Sequence, residues 1–231
     1  MKKMNFLLTT MAASLICSSA WGWGFVKGEV KDPKLPKILL IGDSITAGYK
    51  WVVTRDLADK ATVDAYCNPY NQACNAWHTE LKEVLEKNGP YAVIHFNLGL
   101  HGWRKGDIPE GQFEPLTRKC VETIRKYAPD AKIIWASTTP VVTKTEPFAL
   151  EPEINPIIVE HNAMAAKVMK ECGIPINDLY AVMLPNLSMS NGDNVHWKDA
   201  KAGDLMGGAV AKAVIEQLEA ASKKTTSTDS K

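Results

Sequence analysis

The 231 residues carry almost no surplus of either charge, 27 Lys and Arg standing against 26 Asp and Glu. Without a basic excess there is nothing to neutralise phosphates, which argues against electrostatic binding of nucleic acid. Cysteines are few, five in all, and none has the C-x-x-C spacing of redox or zinc motifs. The uncharged apolar run from Phe6 to Cys17 falls short of the about 20 residues that span a bilayer. No repeat of solenoid length is visible. A Gly-x-Ser-x-Gly elbow is missing as well, since Thr46 stands where its second glycine would be. What remains is a composition 45% hydrophobic and 23% charged, which excludes disorder, collagen and coiled coil.

The chain opens with Lys2 and Lys3 ahead of the apolar run, a pattern that reads as a secretory signal peptide over residues 1–20. Small residues at Ser18-Ser19-Ala20 place the cut after Ala20, with Gly22 as a second position. Ile16 is too bulky to precede a lipidated cysteine, which argues against a lipid anchor at Cys17. The mature protein is therefore expected outside the cytoplasm, secreted or periplasmic, and not in the membrane. Cys67, Cys74, Cys120 and Cys172 would remain in a compartment that permits disulfides. Either Cys67 and Cys74 pair across the loop that holds Pro69-Tyr70-Asn71, or the thiols lie buried and free; both readings stay open. Residues 21–36 read as a linker, 37–222 as one folded domain, and 223–231 as a disordered polar tail.

Within the domain, five β-rich runs alternate with amphipathic helical stretches, the layout of a parallel sheet covered on both faces. The runs are Ile38 to Ile41, Ala61 to Tyr66, Ala92 to Phe96, Ile133 to Ala136, and Ile174 to Ile176. Tyr49, Val53 and Leu57 share one helical face, and Trp77, Leu81, Val84 and Leu85 another. Later stripes run through Leu116, Cys120 and Ile124, then Met164, Ala165 and Val168, then Met206, Val210 and Ala213.

Open parallel sheets bind ligands beyond the carboxyl ends of their strands, so residues just after each strand carry the information. The first strand ends in Gly42-Asp43-Ser44-Ile45-Thr46. Ser44 there is either a helix N-cap or a hydroxyl exposed beside the free N–H groups of a helix start, where an oxyanion would be stabilised. A serine needs a base to take its proton, and histidine suits that task near neutral pH. Asp193-Asn194-Val195-His196, in a Ser-Asn-Gly-rich segment before the last helix, supplies His196, with Asp193 placed to hold its other ring nitrogen. A bare D-x-x-H is short enough to arise by chance. The joint order, serine after the first strand and Asp/His before the last helix, is far more specific.

On these blocks the chain resembles the SGNH, or GDSL, hydrolase family over about residues 36 to 220. The resemblance implies a flavodoxin-like three-layer α/β/α sandwich with a five-stranded parallel sheet. It also implies ester hydrolysis with Ser44 as nucleophile, His196 as base and Asp193 as its orienting acid, with no metal or cofactor. The middle blocks depart from the family's pattern. Where members carry Gly-x-Asn-Asp, with the asparagine donating to the oxyanion, this chain has Gly99-Leu100-His101-Gly102. His101 or Asn97 is the candidate donor. The second-block glycine has no counterpart, which leaves the N–H of Ala73, Cys74 or Asn75 for its role. The wording around His95-Phe96-Asn97 and Thr138-Thr139-Pro140 resembles a secreted bacterial branch associated with carbohydrate deacetylation.

Trp51, Trp103 and Trp197 each follow a candidate block, and an indole beside a polar site can carry a sugar face or an acyl chain; each can equally be core. His78, His95 and His161 lack ligand spacing and read as packed or surface histidines. The expected activity is a secreted esterase removing a small acyl group, acetyl first, from carbohydrate. Its alternatives are a lipid ester or thioester hydrolase, or a non-catalytic carbohydrate-binding module on the same fold. Small-molecule or polysaccharide esters are the expected partners, and nothing in the sequence speaks to oligomeric state.

Overall fold

The computed structural model describes residues 23–228; the leader expected over 1–20 lies outside them. Among the described residues, six strands form one sheet in the order β1-β3-β2-β4-β5-β6. They are β1 (Gly24–Val26), β2 (Lys37–Gly42), β3 (Thr62–Cys67), β4 (Val93–Phe96), β5 (Lys132–Ala136) and β6 (Ile176–Asn177). The last five run parallel, as the alternating pattern requires, in the 2-1-3-4-5 order of doubly wound flavodoxin-like sheets.

The sixth strand corrects the expected count. β1 lies inside the stretch read as linker and pairs antiparallel with β3, Gly24 opposite Cys67 and Val26 opposite Ala65. Three residues are too few for an alternating pattern to show, so only the free edge of β3 reveals their role. The fifth parallel strand also sits later than expected, at Ile176–Asn177 rather than Ile174 to Ile176.

Adjacent β2 side chains point to opposite faces, and two cores follow from that. Ile38 and Leu40 pack with α1 (Ser44–Asp56), α5 (Leu179–Met183) and α6 (Asp199–Thr228), through Tyr49, Val53, Leu179 and Val210. Leu39 and Ile41 pack with α2 (Asn75–Asn88), α3 (Phe113–Tyr127) and α4 (Asn155–Glu171), through Trp77, Leu81, Ile124 and Val168. Burying a Leu or Ile side chain stabilises by about 1.5–3 kcal/mol, so each face contributes many times the net stability of a domain before chain entropy opposes it.

The same division decides the cysteines. Cys67 is buried in the α1 core and Cys74 borders the α2 core, so the sheet lies between them. All four described thiols are free, and burial pushes the Cys67 thiol up to about 11. At the other end, α6 continues to Thr228, where a disordered tail from 223 was expected, and residues 229–231 lie outside the described ones. Among the described residues, no helix is long and apolar enough to cross a membrane.

Candidate active site

The parallel strand order reverses between β2 and β4, and the chain leaves both strands there at their carboxyl ends. Gly42 closes β2 where an added Cβ would lie 2.0 Å from Thr46 Oγ1, so only glycine lets the strand turn directly into α1. Asp43 is the N-cap: its Oδ1 accepts the Ile45 N–H at 2.9 Å. Ser44 is thereby freed from capping and becomes the first helical residue. Burial pushes the Asp43 carboxyl up, while the Ile45 N–H and the nearby His101 and His196 rings pull it down; the net direction is upward.

Facing Ser44 is a tight loop whose ends meet where Ser190 bridges Trp197. Asp193 Oδ1 accepts the N–H groups of Val195 at 3.1 Å and His196 at 2.8 Å, and Asn191 Nδ2 donates to Oδ2 at 3.2 Å. Asn194 holds the loop's left-handed turn at φ 81°, pinned by its Nδ2 donating to Val142 O at 2.7 Å. The carboxylate can only accept, so the 2.5 Å contact between Asp193 Oδ2 and His196 Nδ1 puts the proton on Nδ1. His196 Nε2 then presents its lone pair to Ser44 Oγ at 2.7 Å, across 152 residues of chain. Partial burial raises the Asp193 carboxyl, but these donors outweigh it and hold it below the ordinary carboxylate range.

The two oxyanion candidates separate in space. Asn97 is buried, and its Nδ2 donates to Ala136 O at 2.7 Å and Thr138 Oγ1 at 3.3 Å, away from the cavity that Ser44 lines. His101 lines that cavity together with Ser44 and His196. It sits in a 3₁₀ turn, Leu100–Gly102, reached through Gly99, where an added Cβ would fall 1.7 Å from Thr138 Oγ1. Its carbonyl accepts from Asn71 Nδ2 at 3.0 Å, and its ring meets the edge of Trp23, centroids 6.1 Å apart. The Ala73 and Cys74 N–H groups are spent on Asn71 Oδ1 and Asn71 O, within their own loop.

The tryptophans divide likewise. Trp103 lines the cavity of about 440 Å³ that holds Ser44, His101 and His196. Trp197 lines a recess of about 60 Å³ on the other side of Ser44, with Gly48, Gly203 and Met206. Trp51 is exposed under Arg55 and borders neither. Seven residues into α1 it stands about 10 Å along the axis from Ser44. Arg104, Lys144 and Trp23 are the site's neighbours that the motifs did not reveal. Trp23 lay in the stretch read as linker, and the other two belong to loops without a pattern.

His78 contacts Thr123 Oγ1 at 2.8 Å, and His161 stacks on Phe113. His95 is fully buried against Asn177, and burial pushes its imidazole down to about 4.

The family model of the GDSL-like lipase/acylhydrolase family matches residues 40–200. No curated protein matches. Among solved structures, a carbohydrate acetylesterase family member from Sinorhizobium meliloti is 19% identical with TM-score 0.66, covering 80% of this chain and 100% of that one. An acetyl xylan esterase, AlAXEase, is 19% identical with TM-score 0.62, over 77% of this chain and 99% of that one. A lipase/acylhydrolase from Enterococcus faecalis is 20% identical with TM-score 0.60, over 78% and 95%. At these identities the likeness is one of fold.

Proposed function

From the premise that this chain belongs to the GDSL-like lipase/acylhydrolase family, and so hydrolyses esters, we propose that Ser44, His196 and Asp193 are its catalytic triad. The observation that carries this reading is the continuous relay from Asp193 through His196 to Ser44 Oγ, with contacts of 2.5 and 2.7 Å. His196 Nε2 takes the Ser44 hydroxyl proton as Oγ attacks the ester carbonyl, and Asp193 stabilises the imidazolium. The developing oxyanion meets the Ser44 N–H at the start of α1 and a ring N–H of His101. On collapse, His196 returns the proton to the departing alcohol and leaves an acyl-Ser44 ester. Water then attacks that ester, its proton going to His196 Nε2 and on to Ser44 Oγ as the acid is released.

The acyl group is acetyl and the alcohol a carbohydrate. In support, the recess of about 60 Å³ beside Ser44 matches a short acyl chain, while the cavity of about 440 Å³ offers room for a sugar beside Trp103. Two of the similar folds carry names of carbohydrate or xylan acetylesterases, in keeping with this choice. Export through a leader over residues 1–20, cleaved after Ala20, is part of the same proposal, with the catalytic domain widened from 37–222 to take in β1 and the end of α6; N-terminal sequencing of the mature protein tests the cut.

Purified protein is expected to hydrolyse p-nitrophenyl acetate faster than p-nitrophenyl octanoate, with Ser44→Ala abolishing turnover. Equal rates for Ser44→Ala and wild type would remove the nucleophile assignment. Faster turnover of the octanoate would instead place a lipid acyl chain in the larger cavity.

A further inference from the structure

The cavity shared by Ser44, His101 and Trp103 also has Arg104, Lys144 and Asp193 in its wall. Asp193 is committed: the ring N–H of His196, two backbone N–H groups and Asn191 Nδ2 already occupy its oxygens. Neither cation has a carboxylate partner among the described residues. Asp107 accepts the backbone N–H of Arg104, not its guanidinium, which lies instead 5.3 Å from the Trp103 ring centroid. What sets the two cations apart is their place, on the wall of the cavity that Ser44 and His196 share. Set against the single Asp193 carboxylate, the two exposed cations leave the cavity wall with a net positive charge, which attracts an anion and disfavours a cationic guest.

Resting on the esterase reading above, we propose that the alcohol part of the substrate is an acidic sugar. Its carboxylate is taken by Arg104 and Lys144 while its ring lies against Trp103. Guanidinium and carboxylate match in a planar, two-bond geometry, and the indole supplies the flat apolar face that a pyranose requires. The complementarity is confined to the unit that bears the ester. Beyond Trp103 and Arg104 the surface continues into a groove of about 970 Å³ where Glu110 and Glu160 face Arg104 and Lys105 and Glu114 is paired with Lys167, so its balanced charges add no attraction for further anionic units. The substrate class is thus an O-acylated uronate, recognised through the one unit that bears the ester.

The test compares acetate release from an O-acetylated methyl galacturonoside with release from the matching methyl galactoside, which differs only in having a hydroxymethyl group for the carboxylate. The wild-type kcat/KM is expected to favour the galacturonoside about tenfold, the factor of a 1.4 kcal/mol contact. Added salt should erode that ratio. In the Arg104→Gln, Lys144→Gln double variant the ratio should fall towards one; as a ratio, it cancels any loss common to both substrates. A wild-type ratio near one, or a preference that the double variant retains, overturns the acidic-sugar assignment. So does Ser44-dependent turnover of p-nitrophenyl acetate with no release from the galacturonoside. Turnover of p-nitrophenyl acetate that persists in Ser44→Ala overturns the esterase assignment itself, and this inference with it.

Discussion

The two sides of Ser44 are built on different principles. On the relay side, Asp193 and His196 are held by hydrogen bonds that mostly span two or three residues, inside one loop. On the oxyanion side, His101 and Asn97 are held by partners 30 to 41 residues away: Asn71 on the His101 carbonyl, Ala136 and Thr138 on the Asn97 amide. Trp23, the first described residue, closes against the His101 ring. A local loop can carry its geometry in a motif, whereas a surface assembled from distant segments can exchange His for Asn without leaving a recognisable word.

The largest expected effect lies on the relay side. His196→Ala should lower kcat on p-nitrophenyl acetate by about 10⁴-fold or more, and Asp193→Asn by up to about 10⁴-fold through loss of the correct tautomer. Because the members of a catalytic triad act as a unit, combining either change with Ser44→Ala should cost little further if the proposed relay serves Ser44. Additive losses in that double-variant series would show that the relay does not serve Ser44.

A smaller loss is expected across the cavity, and it distinguishes the two candidate donors. His101→Ala should reduce kcat by about 10²- to 10³-fold, the range for removing one oxyanion donor. Asn97→Ala should instead act on folding, because the Ala136 carbonyl and Thr138 hydroxyl lose their buried donor, at a cost of about 1–3 kcal/mol in urea unfolding. The reverse outcome, a kinetic loss at Asn97 and none at His101, would transfer the role.

The finest distinction is in pH dependence of stability. On the oxyanion side, His95 on β4 is held neutral, with its pKa down at about 4 against about 6.5 in the unfolded chain. The unfolded state therefore binds the proton first, and stability should decline as pH falls from about 6.5 to about 4. On the relay side the Asp193 carboxylate is favoured by folding. Its contribution is present above the unfolded value of about 3.9 and disappears as pH drops through its lower folded value. Urea titrations between pH 7 and 4 should show a slope that His95→Gln flattens and Asp193→Asn leaves in place; a wild-type slope of zero would contradict the neutral His95.

The legibility of the fold follows the same division. β2 to β5 begin and end within one residue of where the β-rich runs placed them, because each is dominated by apolar and β-branched residues between turn or helix-ending segments. β1 was hidden because Gly24–Val26 gains its strand identity only from the edge of β3. Cys67 and Cys74 are seven positions apart, close enough to invite a bridge on paper. Which face of the sheet each thiol borders depends on the course of the chain after β3. Trp51 looked adjacent to the site in sequence, but helical rise carried it two turns away.

By itself the amino-acid sequence determined the alternating parallel architecture and marked Ser44, Asp193 and His196, since hydrophobic period and short-range hydrogen-bonding motifs are properties of neighbouring residues. Only the tertiary structure decided that Asp43 rather than Ser44 caps α1, and that His101 rather than Asn97 shares the cavity lined by Ser44. Tertiary structure alone also brought Arg104 and Lys144 to that cavity without an acidic partner among the described residues. Side-chain direction and charge pairing are set by contacts between segments far apart in the chain, and no local pattern records them.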